Sequence, residues 1–230
     1  MFIGHYAVGF AAKRAAPKTS LGLLMAAPVL LDLLWPIFLL LGWEHVRIDP
    51  NPPNPFLALA FPSYPISHSL LAAVGWAVLA AGVYWAATRY RAGALWIGIG
   101  VVSHWFLDFV THRPDLPLVP GSGTRVGLAL WSSLPATVVV EGAVFAAGLW
   151  LYARTTRARD RIGRWAFVAF VVFLLAIYAA NAFSPSPPPS ERAVAWLTLS
   201  GWLLPFWAYW FDRHRDVVAV AAASEGARRP

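Results

Sequence analysis

The chain contains no cysteine. That excludes disulfides, thiolate metal sites, iron–sulfur clusters and a cysteine nucleophile. Charge is also scarce: 13% of the 230 residues are Asp, Glu, Lys or Arg, against about 25% in a soluble domain. Only 11 of them are acidic, so every carboxylate inside an apolar run asks for a reason. No internal repeat and no separate polar domain stands out. What is abundant is apolar surface, with 59% hydrophobic residues and 13 tryptophans. One aqueous core cannot hide that much, and lipid is the solvent that suits it. The net charge of +7 would suit nucleic acid if the basic residues formed one patch on a folded face. They lie instead in short segments between apolar runs, so no nucleic-acid partner is expected.

A spanning helix needs about 20 mostly apolar residues. Six stretches qualify: 21–43, 68–88, 94–112, 133–153, 165–183 and 194–211. The expected fold is therefore all-α, a polytopic membrane helical bundle of about six transmembrane helices plus a short N-terminal helix. Residues 1–212 form a single transmembrane domain, and 213–230 a disordered cytoplasmic tail. Met1–Ala12 is apolar but too short to span, which fits an interfacial or re-entrant helix. With these spans fourteen Lys and Arg fall on one side and only Arg47, Arg113, Arg125 and Arg192 on the other. The basic side is the cytoplasmic one, so both termini are expected there, in a bacterial inner membrane. Proline-rich loops at Asp49–Pro55 and Ser184–Ser190 form the outer caps.

Ionisable groups within spans are costly, roughly 2.5–3.5 kcal/mol for a central Asp, Lys or Arg on insertion scales. Here they crowd into the first three spans, with one more in the fourth. Asp32 is mid-span in the first stretch, His68 opens the second, His104, Asp108 and His112 lie on the third, and Glu141 is inside the fourth. Positions 104, 108 and 112 fall within about an 80° arc of a helix. Two imidazoles and a carboxylate thus share a stripe, one turn apart, close enough to reach one ion. Asp32 lies at matching depth, about 16 Å into its span. Pro36 leaves the Asp32 carbonyl without its helical donor and should kink the helix. His5 rises to the same depth if the N-terminal segment re-enters.

Imidazole and carboxylate without thiolate suit a divalent metal, Zn²⁺ first, with Mn²⁺ or Fe²⁺ as alternatives. Such an ion can lower the pKa of bound water to about 7. Glu141 is a candidate general base, and Arg113 a candidate partner for a substrate phosphate or carboxylate. The structural alternatives are hydrogen-bonded glue between helices for a lone histidine and a protonated acid for Glu141.

Several of these residues sit in a pattern that resembles a known family. Gly4-His5, Pro28-Val-Leu-Leu-Asp32, Ser67-His68-Ser69-Leu70-Leu71 and Ser103-His104-x-x-x-Asp108 resemble the membrane-bound metal-dependent hydrolases, also described as LexA-binding inner-membrane hydrolases. The resemblance covers residues 4–112. It implies a divalent-metal site formed by His5, Asp32, His68, His104 and Asp108. The chain departs from the pattern in two places. Only one Asp of the family's Pro-Asp-x-Asp motif is present, displaced by one residue, and Ser63-Tyr-Pro-Ile replaces its His-Arg-Gly portion. One metal instead of two, or a degenerate site, would follow, with His112 as a compensating ligand.

Three functions compete on these grounds. The first is a metal-dependent hydrolase acting on a lipid-like or amphiphilic ester or phosphoester through a metal-activated water, its partners being membrane lipid and an amphiphilic small molecule. The second is an ion- or proton-coupled transporter with Asp32, Asp108 and Glu141 as relays. It is weakened because the polar residues crowd into the first three spans and the last three carry no matching set, as inverted repeats would require. The third is a non-catalytic membrane partner protein whose polar residues only fix packing.

Overall fold

The computed structural model describes residues 1–184 and 186–218. Its helices in chain order are α1 (Ile3–Ala15), α2 (Leu21–Ala26), α3 (Leu30–Leu40), α4 (Pro65–His68), α5 (Leu70–Thr88), α6 (Arg91–Thr111), α7 (Leu134–Thr155), α8 (Arg161–Ala182), α9 (Glu191–Leu199) and α10 (Leu203–Asp212). Four of them, α5 to α8, have 19 to 22 residues and the apolarity to cross a membrane. They match the second to fifth predicted spans. Three of the four, α5, α7 and α8, start at a short polar N-cap side chain that satisfies an amide the helix leaves free. Ser69 accepts from the Ala72 N–H (3.1 Å), Ser133 from Ala136 (3.4 Å) and Asp160 from Gly163 (2.9 Å). Val78, Val83, Leu95, Val139 and Val172 are all exposed on these helices, as a lipid-facing surface should be.

The first and sixth predicted spans are each divided. Residues 21–43 give α2 and α3, separated at Ala27–Val29. Pro28 cannot donate a helical hydrogen bond, and its ring crowds the preceding turn. Residues 194–211 fall into α9, a 3-10 turn at Ser200–Trp202, and α10. Gly201 sits in that turn, and Pro205 has no N–H for the Gly201 carbonyl. Six uninterrupted spans are therefore not what the chain forms. The described residues are mostly helical, as expected, and among them three short two-stranded antiparallel sheets tie the loops. They are β1 (His45–Ile48) with β2 (Leu59–Ser63), β3 (Leu116–Pro117) with β4 (Arg125–Val126), and β5 (Thr156–Ala158) with β6 (Arg215–Val217). The expected tail thus begins as a strand at Arg215. Residues 219–230 lie outside the described residues.

The N-terminal helix is neither peripheral nor solvated. Its residues are buried almost throughout, with Phe10 fully enclosed by Phe145, Tyr152, Phe167 and Phe170. Gly148 permits this, since a Cβ there would strike the backbone of Ala7. At one end Lys13 bonds Asp212 (2.6 Å) and Thr19 bonds Tyr84 (2.9 Å). That places the basic segments 13–18, 89–91, 154–164 and 213–215 at the same end. Arg89, Arg154 and Arg164 each lie over a tryptophan ring there, 4.7 to 5.1 Å from its centre. Asp160, in the loop at this end, is held below the ordinary carboxylate pKa by the Gly163 amide and the His214 ring that bond to it.

Candidate metal centre

Four separate segments deliver the polar residues to the end of the bundle opposite the basic one. His5 comes from the first turn of α1, Asp32 from the first turn of α3, His68 from the last residue of α4, and His104 and Asp108 from consecutive turns of α6. The break at Pro28 matters directly. It leaves the Pro28 carbonyl free to accept from His104 Nδ1 at 2.8 Å. A carbonyl cannot donate, so Nδ1 carries the hydrogen and Nε2 keeps a lone pair. That Nε2 faces Asp108 Oδ2 (3.0 Å), His68 Nε2 (3.3 Å) and Asp32 Oδ1 (3.7 Å). His68 Nε2 is 3.4 Å from Asp32 Oδ1 and 3.9 Å from Asp108 Oδ2.

Two ligand triplets emerge, His5–Asp32–His104 and His68–His104–Asp108, with donor atoms within 4.8 Å of one another in each. His104 belongs to both. His5 stacks flat on His104, centroids 3.9 Å apart, and its Nε2 bonds Asp108 Oδ1 at 3.1 Å. Its Nδ1 is buried and has no hydrogen-bond partner among the described residues. The Met1 amine also bonds Asp108 Oδ1, and donates to Thr111 at 3.0 Å, which leaves Oδ2 for the cluster. The imidazole and Asp108 side chains are 5% exposed or less, whereas Asp32 is 43% exposed. Asp32 is therefore the member of the cluster that reaches the surface.

The other sequence candidates stand at the margin. His112 Nε2 is 3.8 Å from Asp108 Oδ2, and its Nδ1 bonds Asp115 at 3.0 Å. Phe61, Tyr64 and Trp131, from the loops at this end of the bundle, pack around its ring. Arg113 is half-buried and makes no side-chain hydrogen bond or ion pair among the described residues. Glu141 is not brought to the cluster. Its carboxylate accepts from the Phe2 N–H at 2.9 Å, capping the start of α1, where a negative charge meets the positive helix end.

Asp115, Glu44 and Ser67 take part as well, although the sequence reading gave none of them a role in the site. Asp115 bonds His112 and accepts from the Tyr64 hydroxyl at 3.1 Å. Glu44 is 1% exposed and grips the start of α4 through the Ile66 (2.7 Å) and Ser67 (2.8 Å) amides. The Ser67 hydroxyl lies between Glu44 (2.6 Å) and His68 Nδ1 (2.7 Å). The Ser-His pairing was a visible signal for Ser67. Glu44 and Asp115 sit in polar loops, where a carboxylate raises no contrast.

No curated protein and no solved structure matches the chain. Residues 65–184, just over half of it, match the model of the YdjM inner membrane protein family. That stretch runs from α4 to the end of α8 and holds all four long apolar helices, together with His68, His104 and Asp108. The chain is an integral inner-membrane protein and belongs to that family.

Proposed function

We propose that the protein is a membrane-embedded metal-dependent hydrolase acting on an amphiphilic ester or phosphoester. The observation that carries the reading is the meeting of His68 Nε2, His104 Nε2, Asp32 Oδ1 and Asp108 Oδ2. Their five recorded separations run from 3.0 to 3.9 Å. Ligand bonds of 2.0–2.2 Å at tetrahedral angles put neighbouring donors about 3.3–3.6 Å apart. On His104 no hydrogen is available to fill the gap, because Nδ1 holds it. Lone pairs facing carboxylate oxygens in a buried space repel unless a cation or extra protons lie between them. An oxygen- and nitrogen-rich set without thiolate fits Zn²⁺, and also Mn²⁺ or Fe²⁺.

A divalent ion held there would supply Lewis acidity and an activated water. The protein's own residues do the rest. Asp32, the exposed member, borders the route by which a lipid-like substrate arrives. Asp115 fixes the ring of His112, whose Nε2 points at the cluster margin and can take up a further ligand position. Arg113, without a side-chain partner among the described residues, is available to a phosphate or carboxylate of the substrate. The basic end is the cytoplasmic one, which puts the cluster in the outer half of the bilayer. The broken pairs α2–α3 and α9–α10 enter the bilayer beside the four long helices, and the exposure of Leu197, Leu203 and Phe206 supports this.

The test is metal analysis of detergent-purified protein prepared without chelator. Wild type should carry Zn, Mn or Fe near stoichiometry, and His104→Ala should lose at least nine-tenths of it. Chelation should also abolish cleavage of amphiphilic ester substrates. Metal-free wild type, still unable to bind added Zn²⁺, would end this reading.

A further inference from the structure

We propose that Glu44 is a positioning residue that sets which nitrogen of His68 carries the hydrogen. The inference deepens the metal-site reading and rests on it. The argument is a hydrogen count along one buried line. Both Glu44 oxygens act as acceptors, Oε1 from two amides and Oε2 from the Ser67 hydroxyl 2.6 Å away, so Ser67 spends its one hydroxyl hydrogen on Glu44. Ser67 Oγ then has only lone pairs to offer His68 Nδ1 at 2.7 Å. His68 must therefore hold its hydrogen on Nδ1, and Nε2 presents a lone pair to the cluster. Pro28 does the same for His104. Two loop elements outside the cluster thus aim two imidazole lone pairs at one space, the task outer partners of metal-binding histidines perform.

Glu44 also caps α4, whose first amides it accepts. Glu44→Gln separates the two roles. Gln keeps one oxygen, which must stay with the Ile66 and Ser67 amides, since only an oxygen can accept from them. Its NH₂ group then faces Ser67 Oγ and donates to it. The Ser67 hydroxyl hydrogen is released and turns to His68 Nδ1, the acceptor 2.7 Å away. The histidine hydrogen moves to Nε2, and the lone pair aimed at the cluster is lost. Shape and cap survive while the line reverses polarity.

The experiment uses full-length protein in detergent with ¹⁵N-labelled histidine, stripped of metal. Long-range ¹H–¹⁵N spectra identify the protonated nitrogen of each ring, with His68→Gln assigning the signal. Zn²⁺ is then titrated against a competing chelator. Wild-type His68 should be protonated at Nδ1. Glu44→Gln should shift it to Nε2 and weaken Zn²⁺ binding by about 10-fold or more, with an unchanged circular dichroism spectrum. A wild-type His68 protonated at Nε2, or a Glu44→Gln protein that keeps the Nδ1 form, overturns the proposal. Should Glu44→Gln fail to fold, Ser67→Ala gives the second reading. It should yield a mixture of both forms, and an unmixed Nδ1 form overturns the proposal. The ring state is read without metal, so a failure of the metal-site reading is seen separately, in a wild type that takes up no Zn²⁺.

Discussion

Among single residues outside the candidate site, Asp212 carries a large energetic stake. Its Oδ2 accepts from Lys13 Nζ (2.6 Å) and the Leu21 amide (2.9 Å), and its Oδ1 from the Tyr152 hydroxyl (3.0 Å). Both charges are about 7% exposed. Removing one partner of a buried pair strands the other charge, at a cost of about 3–5 kcal/mol. Asp212→Ala should lower stability by that order in detergent unfolding. The double variant Lys13→Met with Asp212→Leu should recover most of it, because no buried charge is left alone. Asp212 was visible in the sequence as a charge at a span end. Its partner lies 199 positions away, and nothing local announces such a pair. The same contrast governs the candidate site. Asp32, His104 and Asp108 stood out because each interrupts an apolar run. Glu44 and Asp115 sit among other polar residues, and only coordinates reveal that they are buried and engaged.

At the scale of elements, residues 70–88, 91–111, 134–155 and 161–182 were legible because length and apolarity alone decide a spanning helix. The divided elements were not, since a hydropathy average runs straight across Pro28, Gly201 and Pro205. The break at Pro28 has consequences for chemistry as well as shape. A continuous α2–α3 helix would spend the carbonyl of residue 28 on the amide of residue 32. His104 Nδ1 would then lose its acceptor, and its ring would be free to turn. Pro28→Ala, which restores an amide hydrogen and relieves the clash, should therefore weaken Zn²⁺ binding by about 10-fold even though residue 28 is no ligand. Isothermal titration of the metal-stripped protein checks this. An affinity equal to wild type would mean that the break has no part in orienting His104.

For the molecule as a whole, the two ends differ in charge and in construction. One end gathers the Lys13–Asp212 pair, the β5–β6 clamp and the arginines stacked on tryptophan rings. The other carries the candidate metal site beneath the β1–β2 and β3–β4 loops, which Arg125 ties by bonding the Phe61 (3.2 Å) and Pro62 (2.7 Å) carbonyls. The cost of carrying arginine across a bilayer favours keeping the first end in the cytoplasm. The lack of any native cysteine makes this simple to measure. Asn51→Cys, in the exposed loop after β1, should react with a membrane-impermeant maleimide once that reagent has free access to the periplasmic face. Arg161→Cys, at the start of α8, should react only after the inner membrane is permeabilised. The reverse pattern would turn the protein over, put the candidate site in the cytoplasmic leaflet, and require its substrate to come from the inner half of the bilayer.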